Sequence, residues 1–384
     1  MQRVLLYCRH TIGIGHLVRS LSIAEALAQR FDVLMALGGE RVEGLTLPAG
    51  IRYFELPAAA GVSERLALGE ELGEPLLAAA KMWRPDVILT ELYPFGRKSF
   101  DAELLPMLRW AKAQPDKPLV VSSVRDILVH RANAESFEQR VVGIIGSYFD
   151  LVLVHGDERF VPLDVTFSRV RDLACPVRYT GYVTRAKNYA APAAAEPRVV
   201  VSNGGGRCVP GQKLLRASVA AALQFPDRLP YTFEVYTGPL APDAVYEDLC
   251  ALAAGAANIR VARFTPDLGA RLRGATLAIG MGGYNTVLDL LGAKIPALIY
   301  PEYGNGDTEQ EVRAERLEKL GAASVLSGED LQPERMTQAI ESVLRRKPAA
   351  IEIDLDGAGN TMRILHEMQA RRSDLASAAA GCPQ

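Results

Sequence analysis

Short apolar runs alternate with helix-spaced apolar positions along most of this chain. The run at residues 4–8, VLLYC, predicts a first strand, and Leu17, Leu21, Ala24, Leu27 and Ala28 then recur at helical spacing. Further strands are expected at 32–37, 51–56, 86–90, 118–123, 150–155 and 178–181, with helical patterns between several of them. Such alternation predicts a doubly wound parallel α/β sheet. Residues 186–197, AKNYAAPAAAEP, are small, rich in Ala and Pro, and without periodicity, so they read as a linker. Beyond them the pattern restarts, with strands at 198–202, 231–237, 258–264, 276–280, 296–300 and 323–326. Helices are expected at 331–344 and from 359 to about 372. The reading is thus an N-terminal domain at 1–185, a linker at 186–197, a second domain at 198–345, a closing segment and terminal helix at 346–372, and a disordered Ala-rich tail at 373–384.

Each half opens with a strand, a glycine turn and a helix. In the first half the turn runs from His10 through Gly13 and Gly15 to His16. It lacks the third glycine of the dinucleotide fingerprint, and no acidic ribose ligand follows a second strand, so NAD binding is not expected. In the second half there are two glycine turns, Asn203-Gly-Gly-Gly-Arg207 and Gly282-Gly283, the latter leading into a helix that opens near Asn285 or Thr286. A strand that feeds a glycine turn and a helix N-terminus presents free N–H groups and a positive dipole end to an anion. One such turn carries Asn285, Thr286 and Asp289. The next, after residues 296–300, carries Thr308, Glu309 and Gln310. Both are expected at the crevice where open parallel sheets bind ligands, as the seat of a nucleotide diphosphate. The plainer alternative is an ordinary tight βα turn followed by a solvated helix.

His16 stands at the mouth of its helix, where the dipole disfavours the imidazolium, which suits a neutral base. Against this stands a histidine that merely caps or packs the turn. Polar residues close three other strands: Thr90 and Glu91; Ser122 and Ser123 with Arg125 and Asp126; His155 with Asp157. Glu91 and Asp126 are alternative bases, although a turn or cap role also fits Asp126 and Asp157. Residues 92–97, LYPFGR, read as a shaped or packed loop.

Composition changes this picture little. The chain has 384 residues, 49% of them hydrophobic, and a net charge of −2, so no basic face calls for nucleic acid. Five scattered cysteines without C-x-x-C spacing suit neither a disulfide framework nor a zinc site. No apolar run is long enough to span a bilayer and none reads as a signal peptide, so a cytoplasmic protein is expected, with peripheral membrane contact left open. Asp354-Leu-Asp356 fits the D-x-D pattern of metal-dependent transferases, but its place before the last helix suits turn and cap chemistry.

Taken in order, Gly13-Ile-Gly15-His16, YPFGR, SVRDILV (123–129), VHGD (154–157), YTGYV (179–183), Gly204-Gly205-Gly206, Gly283-Tyr284-Asn285-Thr286 with Asp289, and Glu309-Gln310 resemble the GT-B glycosyltransferases. The resemblance is to family 28, the group of the bacterial peptidoglycan N-acetylglucosaminyltransferase, and runs from residue 4 to the mid-340s. It implies two Rossmann-like domains facing a central cleft, and an inverting, metal-independent transfer from a nucleoside diphosphate sugar, by family a UDP-sugar. The acceptor, a small molecule, glycan or lipid-linked compound, would use the N-terminal domain. By position the resemblance puts Gly15, Gly205, Gly206 and Arg207 near the diphosphate or sugar, Phe264 and Thr265 at the base, Asp289 at the ribose, and Gln310 at the donor sugar. Asp289 stands where the family usually has a glutamate, and Tyr284 where it has a small residue, so the ribose and diphosphate pockets are expected to differ in shape. A nucleotide-sugar hydrolase or epimerase on the same fold, or a non-catalytic nucleotide-sugar-binding protein, are the competing readings.

Overall fold

In a computed structural model of the chain, the described residues are 1–9, 15–39, 47–57, 73–96, 98–129, 131, 133–184, 197–225, 231–265, 268–302, 308–346, 349 and 352–380, the side chains of 375–380 excepted. The chain divides into two compact units, Met1–Val183 with Asp356–Gln384, and Thr184–Leu355.

The first unit is built on a seven-stranded sheet in the order β3-β2-β1-β4-β5-β6-β7, every pair parallel. Its strands are β1 (Arg3–Arg9), β2 (Asp32–Gly38), β3 (Arg52–Glu55), β4 (Val87–Glu91), β5 (Leu119–Arg125), β6 (Leu151–His155) and β7 (Val177–Tyr179). Its helices are α1 (Gly15–Leu27), α2 (Glu74–Trp83), α3 (Asp101–Ala113), α4 (Ala134–Tyr148) and, from the far end of the chain, α11 (Gly357–Ala380). The central strands are apolar throughout because both faces are covered. Leu5, Tyr7, Ile88, Val120 and Val152 pack on one face with Leu76 of α2, Leu104 of α3 and Val141 of α4. Val4, Leu6, Leu89, Val121 and Leu153 pack on the other with Leu21 of α1 and Leu365 of α11.

The terminal helix corrects the expectation of a short helix and a disordered tail. It is a single helix through Ala380, held by a face that the first sheet would otherwise leave bare. Leu365 is fully buried, His366 lies edge-on to Phe31 at 6.3 Å between centroids, and Gln369 Nε2 donates to the Asp86 carbonyl at 2.8 Å. At its start, Asp356 pairs with Val183 in an isolated antiparallel bridge and accepts from Arg363 at 2.8 Å. Its carboxylate lies over Gly359, where a Cβ would approach Oδ2 to 2.5 Å, so Asp356 is engaged at the start of this helix.

The second unit carries a six-stranded sheet in the order β10-β9-β8-β11-β12-β13, again parallel. The strands are β8 (Arg198–Ser202), β9 (Thr232–Tyr236), β10 (Ile259–Ala262), β11 (Leu277–Met281), β12 (Ala297–Tyr300) and β13 (Ser324–Val325). The helices are α5 (Val209–Ala222), α6 (Asp243–Leu252), α7 (Leu268–Arg273), α8 (Tyr284–Ala293), α9 (Glu309–Lys319) and α10 (Pro333–Leu344). Val199, Val201, Leu277 and Ile279 pack with Leu215 of α5, Leu249 of α6 and Ile340 of α10. No helix among the described residues is long and apolar enough to cross a membrane. The linker expected at 186–197 lies, but for Pro197, outside the described residues.

Candidate functional site

In the first sheet the winding reverses between β1 and β4. From β1 the chain passes through α1 to β2 on one side, and from β4 through α3 to β5 on the other. The carboxyl ends of these two strands therefore leave a crevice with no crossover above it, the usual place for a ligand in an open α/β sheet. Glu91 is the last residue of β4 and His16 the second residue of α1, and their side chains meet there: Nδ1 of His16 lies 2.9 Å from Glu91 Oε1. The Glu91 side chain is 3% exposed and that of His16 25%. Arg19, one turn further along α1, donates to the same Glu91 oxygen and lies 3.0 Å from His16 Nδ1.

These contacts fix the proton on the imidazole. Two groups face Nδ1: Glu91, which can only accept, and Arg19, which can only donate. Since Arg19 already gives its N–H to Glu91, we assign the hydrogen to Nδ1, which donates it to the carboxylate. Nε2 is then the basic nitrogen. Burial alone would raise the Glu91 carboxyl, but the Arg19 guanidinium, followed by the hydrogen bond from His16, holds it well below the ordinary carboxylate range. It is therefore an anion at working pH. The thiol of Cys8, at the end of β1, is pushed up to about 12 by burial and by this anion.

Glu91's other oxygen accepts from Ser123 Oγ at 2.9 Å, and Ser123 Oγ is 2.8 Å from His155 Nε2. Nδ1 of His155 is 2.9 Å from Thr180 Oγ1. Burial pushes His155 down to about 3, with Arg19 adding to the effect and Glu91 opposing it, so its ring is neutral.

Two of the expected bases are corrected. Glu91 is enclosed and committed to His16, Arg19 and Ser123, which makes it the partner of a base and not the base itself. Asp126 is fully buried; its Oδ1 accepts from the Ile127 N–H at 2.9 Å and its Oδ2 from the Tyr182 hydroxyl at 2.7 Å. It braces the end of β5. Asp157 binds the Arg159 N–H at 3.0 Å and its side chain at 2.7 Å, as a turn residue. The 92–96 loop is a packed one: Tyr93 and Phe95 are buried, and the Tyr93 carbonyl accepts from Thr90 at 3.0 Å and from Ser122 at 2.8 Å. Gly15 opens α1 with nothing within 4 Å of an added Cβ. Residues 10–14 and Arg97 fall outside the described residues.

In the second sheet the winding reverses between β8 and β11, and both glycine turns of that half lie at this point. The 203–207 turn presses against the segment after β9: a Cβ on Gly206, whose φ is +92°, would come within 2.6 Å of the Thr237 carbonyl oxygen. Gly205 and Arg207 are exposed. Asn203 is buried, its side chain held over Gly211 near the start of α5. The second turn ends at Gly283, the N-cap of α8, which has no side-chain cap and no acid in its first turn. The N–H groups of Tyr284, Asn285 and Thr286 consequently have no intrahelical acceptor. Thr286 Oγ1 lies 3.6 Å from where a Cβ on Gly204 would sit, so the two turns meet. Asn285 is exposed.

The start of α9 closes on the same place. A Cβ on Gly282 would lie 2.9 Å from the Gln310 carbonyl oxygen. Gln310 Oε1 accepts from the Glu302 N–H at 3.2 Å, and Thr308 is exposed just ahead of the helix. Glu309, expected at the donor, turns inward instead and pairs with Arg313 at 2.8 Å, because a buried guanidinium needs a counter-charge. Arg313, 1% exposed, also donates to the Gly282 carbonyl at 3.1 Å and stands 5.4 Å from the Tyr284 ring centroid. Arg19 and Arg313 are the functional neighbours that sequence reading missed; the i,i+4 spacing of Glu309 and Arg313 was the available signal. Asp289, half-buried on α8, is pushed up to about 6 by burial, with Arg273 opposing. Phe264, 62% exposed, and Thr265 follow β10, the outermost strand, two places from β8.

Comparison with known proteins finds glycosyltransferases of related sequence and fold. Residues 212–362 match the glycosyltransferase family 28 C-terminal domain. The UDP-N-acetylglucosamine--N-acetylmuramyl-(pentapeptide) pyrophosphoryl-undecaprenol N-acetylglucosamine transferase of Methylobacterium radiotolerans is 33% identical over 117 residues, 29% of this chain and 31% of that one. The enzyme of the same description from Prochlorococcus marinus is 22% identical over 356 residues, 91% of this chain and 90% of that one. Among solved structures, Acinetobacter baumannii MurG superposes with a TM-score of 0.60 at 17% identity, covering 94% of this chain and 95% of that one.

Proposed function

We propose that this chain, with its GT-B fold and its match to the family 28 C-terminal domain over residues 212–362, is a family 28-like glycosyltransferase that transfers a sugar from a UDP-sugar to an acceptor hydroxyl, inverting the anomeric carbon and using no metal ion. The observation that carries this reading is the His16–Glu91 pair, which engages Nδ1 and leaves Nε2 as the nitrogen available to an acceptor hydroxyl.

The chemistry needs two things, a proton acceptor and a place for the departing charge. His16 Nε2 takes the acceptor's hydroxyl proton as its oxygen attacks the anomeric carbon from the face opposite the diphosphate. The bond from that carbon to the diphosphate oxygen breaks, and its electron pair leaves with the nucleoside diphosphate. The imidazolium that forms is paired through Nδ1–H with an ionised Glu91. The uncapped N-terminus of α8, beside the 203–207 turn, offers aligned N–H groups to the diphosphate, which supports a metal-independent mechanism. Asp289 is the ribose ligand in this reading, Gln310 the sugar ligand, and Phe264 with Thr265 the base contacts. In this reading the reaction is cytoplasmic, and a lipid-linked acceptor would add contact with a membrane surface.

His16→Ala tests the assignment. Turnover is expected to fall by at least ~10²-fold, the usual loss with a general base, while UDP still raises the melting temperature, in EDTA as in buffer. Unchanged turnover would remove His16 from the base role, and stabilisation that disappears with EDTA would overturn the metal-free reading.

A further inference from the structure

We propose that Ser123 and His155 are positioning residues that hold the His16 imidazole in its Nδ1–H form, through a one-way chain of hydrogen bonds across four strand ends. The proposal deepens the reading of His16 as the base and rests on it for its catalytic meaning.

The chain follows from counting protons. Glu91 is an anion and can only accept. Its Oε1 faces Arg19 and His16, and its Oε2 faces Ser123 at 2.9 Å. Ser123 has one hydroxyl proton and two candidate acceptors, Glu91 Oε2 and His155 Nε2. If that proton went to His155, two oxygen lone pairs would oppose each other at 2.9 Å inside the sheet edge, beside a full negative charge. Given to Glu91, it makes a charge-assisted bond and leaves the Ser123 oxygen to accept. His155 must then donate from Nε2, which fixes its own tautomer and leaves Nδ1 bare, 2.9 Å from Thr180 Oγ1. The Thr180 proton also has the Gly181 carbonyl at 2.9 Å and the Val154 carbonyl at 3.4 Å within reach, but a bare Nδ1 facing an oxygen lone pair would have no donor, so the proton goes to His155.

Every hydrogen therefore points the same way, from Thr180 through His155 and Ser123 to Glu91. Thr180 is itself fastened, its carbonyl accepting from Asn360 Nδ2 of α11 at 2.7 Å. Among the described residues, the titratable or charged groups facing Glu91 are Arg19 and His16 from α1, His155 from β6 and Cys8 from β1. Of these His16 is the most open to solvent, at 25%. Ser123 decides which way the carboxylate turns. With Oε2 anchored, Oε1 stays on His16 Nδ1. Without that anchor both oxygens are free to form a fork on the Arg19 guanidinium, the stronger pairing, and His16 is released. A released imidazole prefers its other tautomer, with the hydrogen on Nε2, where it no longer accepts a proton from the substrate.

The test reads tautomers directly by ¹⁵N NMR of the histidine rings in the full-length protein, with His16→Ala and His155→Gln identifying the two signals. Wild type is expected to show His16 as Nδ1–H and His155 as Nε2–H. In Ser123→Ala the His16 signal should move toward Nε2–H, kcat should fall about 10-fold or more, and the UDP dissociation constant should be unchanged. A wild-type His16 already in the Nε2–H form overturns the proposal, even if the variant fails to fold. So does a folded Ser123→Ala protein with unaltered tautomer and kcat. Because the ring signals need no substrate, the expected tautomers in a protein that transfers no sugar would sink the glycosyl-transfer reading and leave the hydrogen-bond chain standing.

Discussion

If Asp289 is the ribose ligand proposed above, its carboxyl is set for a ligand and against the fold. Burial holds it at about 6, above its ordinary 3.8, so the folded protein keeps this proton more tightly than the unfolded chain does. The stability it contributes is full below about pH 4 and is lost as pH rises through about 6, where the folded state must carry a half-buried charge. A pair of ribose hydroxyls, by contrast, binds best to the ionised form. UDP affinity is therefore expected to rise between pH 5 and pH 7, by up to about tenfold per pH unit below the transition. Asp289→Asn should flatten that rise, weaken binding at pH 7 and raise the melting temperature of the free protein at pH 8. Calorimetric titrations and thermal melts across this range check all three; equal affinity for both proteins at pH 7 would remove Asp289 from the ribose. At this scale the sequence was legible only in part. The glycines and His16 stood out because their residue types serve few other purposes at a strand end. Arg19 and Arg313 did not, since a lone cation in a helical pattern reads as a solvated face until the tertiary fold shows it to be 5% or 1% exposed. Asp126 misled for the converse reason: its partner, the Tyr182 hydroxyl, is 56 residues away.

The 281–286 connection is where backbone shape, not side-chain chemistry, makes the candidate donor site. Gly282 is required for space, because α9 lies directly on it, whereas an added Cβ on Gly283 would meet nothing within 4 Å. Gly282→Ala should cost about 1–3 kcal/mol, the usual penalty of overpacking, and weaken UDP binding about tenfold by pushing α9 away from the first turn of α8. Gly283→Ala should keep the stability of the parent. Denaturant titration of the two variants separates crowding from a general intolerance of side chains in this turn; equal losses would mean that packing by Gln310 is not the cause. The strands were the most legible elements, because strands covered on both faces are apolar along their whole length. Their limits moved by a residue or two, as at Leu277–Met281 against an expected 276–280.

The last helix matters to the molecule as a whole. α11 starts after the second unit is complete, yet its Leu365 sits in the core of the first. Leu365→Ala should destabilise that unit by about 2–5 kcal/mol, as for other fully buried leucines. Both tryptophans, Trp83 and Trp110, lie in the first unit, so the shift should be visible as an earlier fluorescence transition in urea. An unmoved transition would mean that α11 is only loosely attached. This arrangement was not legible in the sequence: an Ala-rich tail has weak amphipathic contrast, and nothing local reveals a partner surface more than 150 residues upstream.

The second unit is in effect inserted between the last strand of the first and the helix that covers its back. During synthesis, the first 183 residues emerge with one face of their sheet still lacking that cover. At the ordinary pace of translation, some 5–20 residues per second, the missing helix follows roughly 10–35 seconds later. For that interval the nascent chain carries an apolar surface that α11 later covers. Thr180, whose carbonyl is held by Asn360 of that helix, belongs to the same unfinished region, so the hydrogen-bond chain that reaches Glu91 is fastened only after the second unit has been made.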